Sequence, residues 1–295
     1  MTTTDGRGGI DAGLVRRLVA AQFPEWAGLP VRPVEVDGWD NRTYRLGTEL
    51  SVRLPSHASY AAGVRKEQRW LPELGQHLPL PVPTPVGCGL PGPDFPHPWT
   101  VNRWLPGETA AADRIDSWEQ FATDLAGFLV ALRGVDARGG PLAGAHSFHR
   151  GGDLGEYDAE TRARLADLRG TLPVDRLAAV WDAARESAWD AAPVWVHGDV
   201  AVGNLLVRRG RLAAVLDFGT SAVGDPACDL VIAWTFLPDA AREVFREAVA
   251  LDDATWARAR GWALWKALLG LRSGTADGPD RRTVDRVLAE HDQRL

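Results

Sequence analysis

The pattern of apolar and polar positions divides the chain into a strand-rich first part and a helix-rich second part. After an amphipathic helix over residues 11–22, with Asp11 as its expected N-cap, apolar and polar residues alternate through PVEVDGWDNRTYRLG and ELSVRLP. Alternation with a period of two around turn residues is typical of antiparallel strands. We therefore predict a β-meander, followed by a helix over residues 58–74 that Pro72 ends or kinks.

Proline and short apolar pairs fill residues 78–98, which favours edge strands and loops, and WTVNRWL is the last strand of this first part. Beyond it, apolar residues recur at helical spacing, except where VWVHGD indicates a buried strand and NLLVRRGRLAAVLDFG a hairpin. The sequence thus predicts an α+β fold. We expect a small β-rich N-lobe over residues 1–98, a hinge over 99–107 and a larger, mostly helical C-lobe over 108–295.

Composition and charge exclude several classes of protein. The 295 residues are 45% apolar and 24% charged, as in ordinary globular proteins, and the formal net charge of -6 disfavours nucleic-acid binding. The two cysteines, Cys88 and Cys228, predict no disulfide framework and fit a reducing compartment. No signal peptide and no membrane-spanning run is evident. We expect a cytoplasmic protein without nucleic-acid, membrane or obligatory protein partners.

Three polar residues with the chemistry of phosphoryl transfer surround the predicted hairpin. The strand that ends at His197 leads Asp199 into a loop, Asn204 opens the next strand, and the hairpin returns Asp217 towards the same edge. Phosphoryl transfer needs one carboxylate that accepts or orients the proton of the attacking hydroxyl. It also needs amide and carboxylate oxygens that hold Mg²⁺ on the phosphates. We therefore expect these three side chains to converge.

The motifs HGDVAVGN and LDFG resemble the catalytic loop and metal motif of the aminoglycoside phosphotransferase family, relatives of the protein kinases. The resemblance implies a bilobal, protein-kinase-like fold that uses Mg²⁺ and either ATP or GTP. It implies that Asp199 is the catalytic base and that Asn204 and Asp217 are metal ligands. The family's residue at the position of Asp229 is mainly structural, and we expect His197 to brace the loop by hydrogen bonding.

The same resemblance implies that the N-lobe binds the nucleotide. Arg53 stands where kinases have a strand lysine on the α- and β-phosphates, and Glu67 is its expected helix partner. Arginine here is a departure, because a forked guanidinium and an ammonium are not equivalent. The turn DGWDN, with Gly38 and Asn41, is the expected phosphate-covering turn, although it lacks a run of glycines.

The connector VNRWLPGE resembles the hinge of that family. The resemblance implies that the edge of the adenine base pairs with the backbone carbonyl of Arg103 and the backbone N–H of Leu105. Side-chain identity carries little information about such backbone contacts.

The phosphate acceptor is the open part of this interpretation. The favoured acceptor is an aminoglycoside-type antibiotic, which O-phosphorylation would inactivate. Its ammonium groups would need carboxylates, and one acidic stretch either serves this purpose or is a solvated loop and helix start: Asp153, Glu156, Asp158 and Glu160. Ala201 and Val202 replace a histidine and a proline that relatives often carry, so substrate contacts are expected to differ.

Other acceptors and other functions remain open. A macrolide, a nucleoside antibiotic or an amino-alcohol metabolite would undergo the same chemistry in a different pocket. A non-catalytic, nucleotide-binding pseudokinase is favoured only by Arg53. A metal hydrolase would need further ligands, and among the remaining histidines only His146 and His149 lie close together in the sequence.

Overall fold

The computed structural model describes residues 9–35, 37–38, 40–271 and 277–293. The chain forms two compact units. Unit 1 comprises residues 1–106 and 214–219, and unit 2 comprises residues 107–213 and 220–295. The short segment 214–219, which the sequence placed in the C-lobe, thus belongs with the N-terminal unit, and it contains Asp217.

Unit 1 is built on a five-stranded antiparallel sheet. In the order β1-β2-β3-β5-β4, the strands are Val31–Pro33, Asn41–Leu46, Leu50–Pro55, Trp99–Arg103 and Pro85–Gly89. Two helices accompany the sheet, α1 over Ala12–Gln22 and α2 over Ala61–Leu74. The strand β5 lies between β3 and β4, so β4, which begins with Pro85, is at the edge of the sheet. This position suits proline, which cannot donate to a ladder.

The two helices begin and end for local reasons. Asp11 caps α1, because its Oδ1 accepts a hydrogen bond from the N–H of Leu14 at 2.7 Å. Of the two expectations for Pro72, an end of the helix at this residue is not met, since α2 continues through it to Leu74, the residue at which the sequence predicted its end. Pro72 has no N–H to donate to the carbonyl of Gln68, four residues earlier, so the helix lacks one hydrogen bond in its last turn.

The core of unit 1 lies between α1 and the sheet. Leu14, Val15, Leu18 and Val19 of α1 are buried together with Val52, Leu54, Trp99 and Val101 of the sheet. The helix contributes residues at helical spacing, whereas the strands contribute alternate residues. This packing fixes β3 and β5, the two strands that carry Arg53 and Arg103.

Unit 2 is mostly helical. Its seven helices among the described residues are α3 to α9: Trp118–Gly134, Asp158–Asp167, Val174–Glu186, Ile232–Thr235, Asp239–Val249, Asp253–Gly270 and Pro279–Asp292. Helix α8 packs against α5 and α9. At the contact with α5, a Cβ on Gly261 would lie 2.6 Å from the Cβ of Ala184, so the absence of a side chain permits the close approach.

Short strands frame the motif-bearing loops of unit 2. They are β6 to β10: Glu108–Thr109, Val194–Val196, Leu205–Arg208, Arg211–Val215 and Ala222–Gly224. The strand β7 pairs with β10, and the remaining three form a sheet in the order β6-β8-β9. The predicted hairpin turn is confirmed, because Arg209 and Gly210 have φ of 50° and 73°. Positive φ at both central residues is the mark of a tight type I′ turn.

Bilayer-spanning helices are absent from the part of the chain that the structure describes, where no helix is both long and apolar enough.

A glycine-to-alanine pair tests the packing of the sheet in unit 1. A Cβ on Gly89 would overlap the ring of the fully buried Trp99, whereas a Cβ on Gly92 would meet open space. We expect Gly89→Ala to lower the free energy of unfolding by about 1–3 kcal/mol through overpacking. The control Gly92→Ala should change it by less than about 0.5 kcal/mol. Urea denaturation of both variants measures this, and equal effects would contradict the described packing.

Candidate active site

Arg53 lies between two carboxylates within unit 1. Its Nη1 is 3.3 Å from Oε1 of Glu67 on α2, and its Nη2 is 3.4 Å from Oδ1 of Asp217. The expected pairing of strand and helix is therefore present, with Asp217 as an additional partner. A planar guanidinium suits this arrangement, because its two arms reach two acceptors at once.

Burial and charge oppose each other around Arg53. Burial alone would lower its pKa, but the negative charges of Glu67 and Asp217 outweigh that effect and raise the pKa above its usual value. Burial also raises the pKa of Glu67, and the charge of Arg53 opposes this rise. Arg53 therefore stays cationic at any physiological pH and provides a fixed positive charge in unit 1.

The LDFG segment is fastened to α2. The N–H of Phe218 donates to Oε1 of Glu67 at 2.9 Å, and the Phe218 side chain is buried. Asp217 has a φ of 62°, a left-handed conformation that is uncommon outside glycine. Backbone outliers of this kind persist where the surrounding structure holds them, and they cluster at functional sites. The side chain of Asp217 is thus held in one orientation beside Arg53.

The expected phosphate-covering turn is organised by Asp37, and its Trp39 lies outside the described residues. Oδ1 of Asp37 accepts hydrogen bonds from the N–H groups of Gly38 at 3.0 Å and Thr43 at 2.9 Å. Asn41 begins β2 and is buried, and its Oδ1 has no hydrogen-bond partner among the described residues. The N–H of Gly38 is therefore already used inside the turn, whereas Asn41 has an acceptor to spare.

The expected hinge residues lie at the end of β5. The N–H of Arg103 donates to the carbonyl of Thr84 at 3.1 Å, and the N–H of Trp104 donates to the carbonyl of Glu49 at 2.8 Å. The N–H of Leu105 makes no hydrogen bond to the backbone of any described residue. One backbone donor at this point of the chain is therefore left for a ligand.

In unit 2, the catalytic-loop motif is braced by His197. This residue is fully buried, and its Nδ1 accepts a hydrogen bond from the N–H of Asp199 at 3.2 Å. Its carbonyl accepts from Oγ1 of Thr220 at 3.1 Å. The following Gly198 has a φ of 84°, and a Cβ there would lie 2.6 Å from the carbonyl oxygen of Thr220. Only glycine fits this turn without displacement, which accounts for the HGD sequence.

A buried carboxylate anchors the same turn. Oδ2 of Asp229 accepts the N–H of His197 at 2.8 Å, and its Oδ1 accepts the N–H of Gly198 at 2.7 Å. Burial raises the pKa of Asp229, while the nearby His197 and these two hydrogen bonds pull it down. The carboxylate thereby satisfies two backbone donors that water cannot reach.

Asp199 and Asn204 are joined directly. The Nδ2 of Asn204 donates to the carbonyl oxygen of Asp199 at 2.9 Å and to its Oδ2 at 3.1 Å. Asn204 ends a short 3₁₀ helix, Val202–Asn204, and its N–H bonds to the carbonyl of Ala201. The loop therefore closes on itself without the histidine and proline found in relatives.

Lys266 is a partner of Asp199 that motif reasoning missed. Its Nζ, on α8, lies 2.8 Å from Oδ1 of Asp199. Burial would raise the pKa of Asp199, but the charge and hydrogen bond of Lys266 outweigh it, so the pKa is lowered. The sequence offers one signal for Lys266, because Lys66 and Lys266 are its only lysines.

The acidic stretch is largely committed to contacts within unit 2. Asp153 caps a short helix through the N–H of Gly155, and Asp158 bonds Trp181, Arg162 and Arg185. Oε2 of Glu160 accepts a hydrogen bond from Nε1 of Trp265 at 2.9 Å. Three of the four carboxylates therefore already have partners within unit 2, and Glu156 has only a 3.9 Å approach to His149.

The donor chemistry of the predicted metal ligands fits Mg²⁺. Asn204 uses its amide nitrogen for Asp199, which leaves its Oδ1 as an oxygen ligand. Asp217 meets Arg53 and Gly219 through Oδ1, which leaves Oδ2. Within the described residues, no group of three or more His, Cys, Asp or Glu side chains is arranged to hold a metal ion. Mg²⁺ suits such a sparse set, because it usually keeps several waters and phosphate oxygens.

Comparison of sequences gives a match over most of the chain. Residues 31–262 match the model of the Phosphotransferase enzyme family. The chain is also similar to an aminoglycoside 3'-phosphotransferase of Escherichia coli, with 27% identity over 207 residues, or 64% of this chain and 70% of that protein.

Solved structures share the fold. The chain superimposes on the GDP complex of aminoglycoside 2'-phosphotransferase-IIIa with a TM-score of 0.73 and 17% identity, covering 96% of this chain and 100% of the other. It superimposes on a macrolide 2'-phosphotransferase from Brachybacterium faecium with a TM-score of 0.60 and 24% identity, covering 94% and 97%. The predicted α+β, kinase-related fold is confirmed.

Removing the anchor of the catalytic loop should destabilise the protein. Asp229→Ala would leave the N–H groups of His197 and Gly198 buried without acceptors. Because each such group costs about 1–3 kcal/mol, we expect a loss of about 2 kcal/mol or more in the free energy of unfolding. Asp113→Ala, at an exposed position, serves as the control. Denaturant titration measures both, and an Asp229→Ala variant as stable as the control would refute the anchoring role.

Proposed function

This chain belongs to the phosphotransferase enzyme family, and from that membership we propose that it transfers the γ-phosphate of ATP or GTP to a hydroxyl group of an antibiotic. The resemblance inferred from HGDVAVGN and LDFG is confirmed, and with it the assignment as a small-molecule O-phosphotransferase. The observation that carries the proposal is the position of Asp199, held in a braced loop with its carboxylate bonded to Asn204.

The names of similar proteins support the proposed use of a nucleotide and the proposed classes of phosphate acceptor. One similar structure is a GDP complex, and another holds streptomycin and ATP. Similar proteins are named as phosphotransferases of aminoglycosides or of macrolides. We propose one of these two acceptor classes for this chain. Because most carboxylates of the acidic stretch are committed to internal contacts, the macrolide class becomes as strong a candidate as the aminoglycosides.

Asp199 is the proposed catalytic residue. Its carboxylate would accept a hydrogen bond from the acceptor hydroxyl, orient the oxygen towards phosphorus and take up the proton as the new bond forms. Asn204 would hold the carboxylate in place through Nδ2 and turn Oδ1 towards the metal. When bound, Mg²⁺ would neutralise charge on the phosphates, and we propose Asn204 and Asp217 as its protein ligands.

The nucleotide contacts proposed for unit 1 rest on its geometry. Arg53 uses two N–H groups for Glu67 and Asp217, and the remaining ones would bind phosphate oxygens. The free N–H of Leu105 and the carbonyl of Arg103 would receive the edge of the base. For Gly38 and Asn41 the role of flanking the phosphates stays a prediction from the sequence, because the N–H of Gly38 is already bonded to Asp37 and the unpaired Oδ1 of Asn41 is an acceptor. The cytoplasmic location and the lack of nucleic-acid or membrane partners stay predictions from the sequence.

Loss of the proposed base should abolish transfer without abolishing nucleotide binding. We expect Asp199→Ala to lower kcat by about 10² to 10⁴, because a positioned base contributes this much. The measurement is a coupled nucleotide-turnover assay against a panel of aminoglycosides and macrolides, run with ATP and with GTP. Asp217→Ala is the complementary variant, and it should weaken binding of the Mg·nucleotide in calorimetry. Full turnover by Asp199→Ala would refute the proposed mechanism.

Lys266 should set the pH range of the reaction. Since Lys266 lowers the pKa of Asp199, Lys266→Met should raise that pKa. The ionised form of Asp199 would then be lost at a higher pH, so the acidic limb of the kcat/KM profile should move upwards. Lys266→Arg keeps the positive charge and should keep most of the wild-type profile. An acidic limb that stays in place in Lys266→Met would show that Asp199 does not control it.

A further inference from the structure

The guanidinium of Arg150, in unit 2, stacks on aromatic rings. Its guanidinium carbon lies 4.2 Å from the centre of the Trp265 ring and 5.5 Å from that of Trp262. Both tryptophans are on α8, and both are buried. Stacking on aromatic faces holds the guanidinium in position without using its N–H groups, which lie in the plane of the fork.

The N–H groups of Arg150 have no protein acceptor. Its side chain makes no hydrogen bond or ion pair with any residue that the structure describes, and its Nε is buried without a partner. Other deeply placed arginines are paired: Arg258 lies 2.7 Å from Asp225, and Arg246 lies 3.1 Å from Glu290. Arg150 is half-buried, and leaving its buried Nε without an acceptor is costly, so an arginine kept in this state is suited to an anion that binds from outside.

The backbone that carries Arg150 is held under strain. Phe148 and His149 have φ of 48° and 53°, two successive left-handed residues that are not glycine. The N–H of Arg150 bonds to the carbonyl of Ser147 at 3.0 Å, and Oγ of Ser147 bonds back to the carbonyl of Arg150 at 3.1 Å. Gly151 then accepts the N–H of Asp225 at 2.8 Å. The loop therefore aims Arg150 in a defined direction at a conformational cost.

Asp199 lies within the electrostatic reach of Arg150. Arg150 is close to the loop that carries Asp199: a Cβ on the neighbouring Gly151 would lie 3.0 Å from Cγ2 of Val196, and Trp265, on which Arg150 stacks, directly precedes Lys266, the partner of Asp199. In agreement with this placement, the pKa of the Asp199 carboxyl is lowered mainly by Lys266, then by His197 and Arg150. Of the acidic groups around the aromatic pair, Glu160 is bonded to Nε1 of Trp265. Because the charge of Lys266 is balanced by Asp199 itself, Arg150 is an unpaired positive charge near the proposed base, and such a charge suits phosphate or carboxylate oxygens.

We propose that Arg150 is an anion-binding residue of the phosphoryl-transfer site, where its guanidinium binds phosphate-like or carboxylate oxygens next to Asp199. This inference rests on the proposed function. Two sources can supply the oxygens: the phosphoryl group in transfer, or an anionic substituent of the acceptor. Both fit a planar fork with unpaired N–H groups, since charge-assisted, bidentate contacts are the strength of arginine.

The first experiment measures binding of inorganic phosphate to the full chain by calorimetry, without nucleotide or acceptor. Arg150→Met keeps an apolar contact with Trp265 but removes the charge, and we expect phosphate to bind about tenfold or more weakly. Arg150→Lys, which keeps the charge and loses the fork, should fall between wild type and Arg150→Met. The matched control is Arg138→Met, an exposed arginine paired with Asp136, which should bind phosphate like the wild type.

The second experiment separates the two sources by steady-state kinetics. If Arg150 binds the phosphoryl group in transfer, Arg150→Met should lower kcat by about 10² or more with every acceptor. If it binds the acceptor, Arg150→Met should raise KM for an acceptor that carries a carboxylate and leave KM for its methyl ester unchanged. Either result supports the proposal.

The phosphate titration keeps this inference distinguishable from the proposed function. Phosphate binding that depends on Arg150, in a protein that turns over no acceptor, would support the anion site and count against the acceptor classes proposed above. Wild-type protein that binds no phosphate, or an Arg150→Met variant that binds it like Arg138→Met, would overturn the assignment of Arg150.

Discussion

The buried carboxylate of Asp229 is the constraint on which the candidate active site depends. It accepts the N–H groups of His197 and Gly198, two successive backbone donors with no access to water. A chain that turns sharply inside a protein must satisfy its backbone polar groups, and a carboxylate can accept two of them at once. This turn positions Asp199, and the side chains of Asn204 and Lys266 then bind its carboxylate.

In unit 1, a single cation, Arg53, binds two carboxylates in a similar way. Arg53 reaches Glu67 and Asp217, and Glu67 also accepts the N–H of Phe218. The helix, the strand and the LDFG segment are thereby linked through a single buried pair. Removing one member of such a pair leaves a buried charge uncompensated, which costs far more than the pair itself contributes. The arginine that replaces the lysine of kinases therefore has a second acceptor, Asp217, for the second arm of its guanidinium.

The sequence predicted much of this arrangement from periodicity and motif chemistry. The capped helix after Asp11 and the hairpin turn at Arg209 and Gly210 follow from local rules, and the structure contains both. The pairing of Arg53 with Glu67, which the family resemblance implied, is also present. Local rules left open whether Pro72 ends or kinks α2, and the structure continues the helix to Leu74 with the loss of one backbone hydrogen bond. The internal contacts of the acidic stretch were not predictable from local rules, since the partners of Asp158 and Glu160 come from other helices.

The sequence by itself therefore determined the fold class, through its periodicity. It also determined the family and the reaction, through the motifs HGDVAVGN and LDFG, whose spacing reflects the geometry of a loop and a hairpin. Tertiary structure decided the electrostatics. Lys266 and Arg150 are far from Asp199 in the sequence, and only the packing of α8 and the loop after Ser147 brings their charges close to it. A periodic pattern along the sequence does not predict such contacts, because the pairing of charges from different elements depends on how the helices and loops pack.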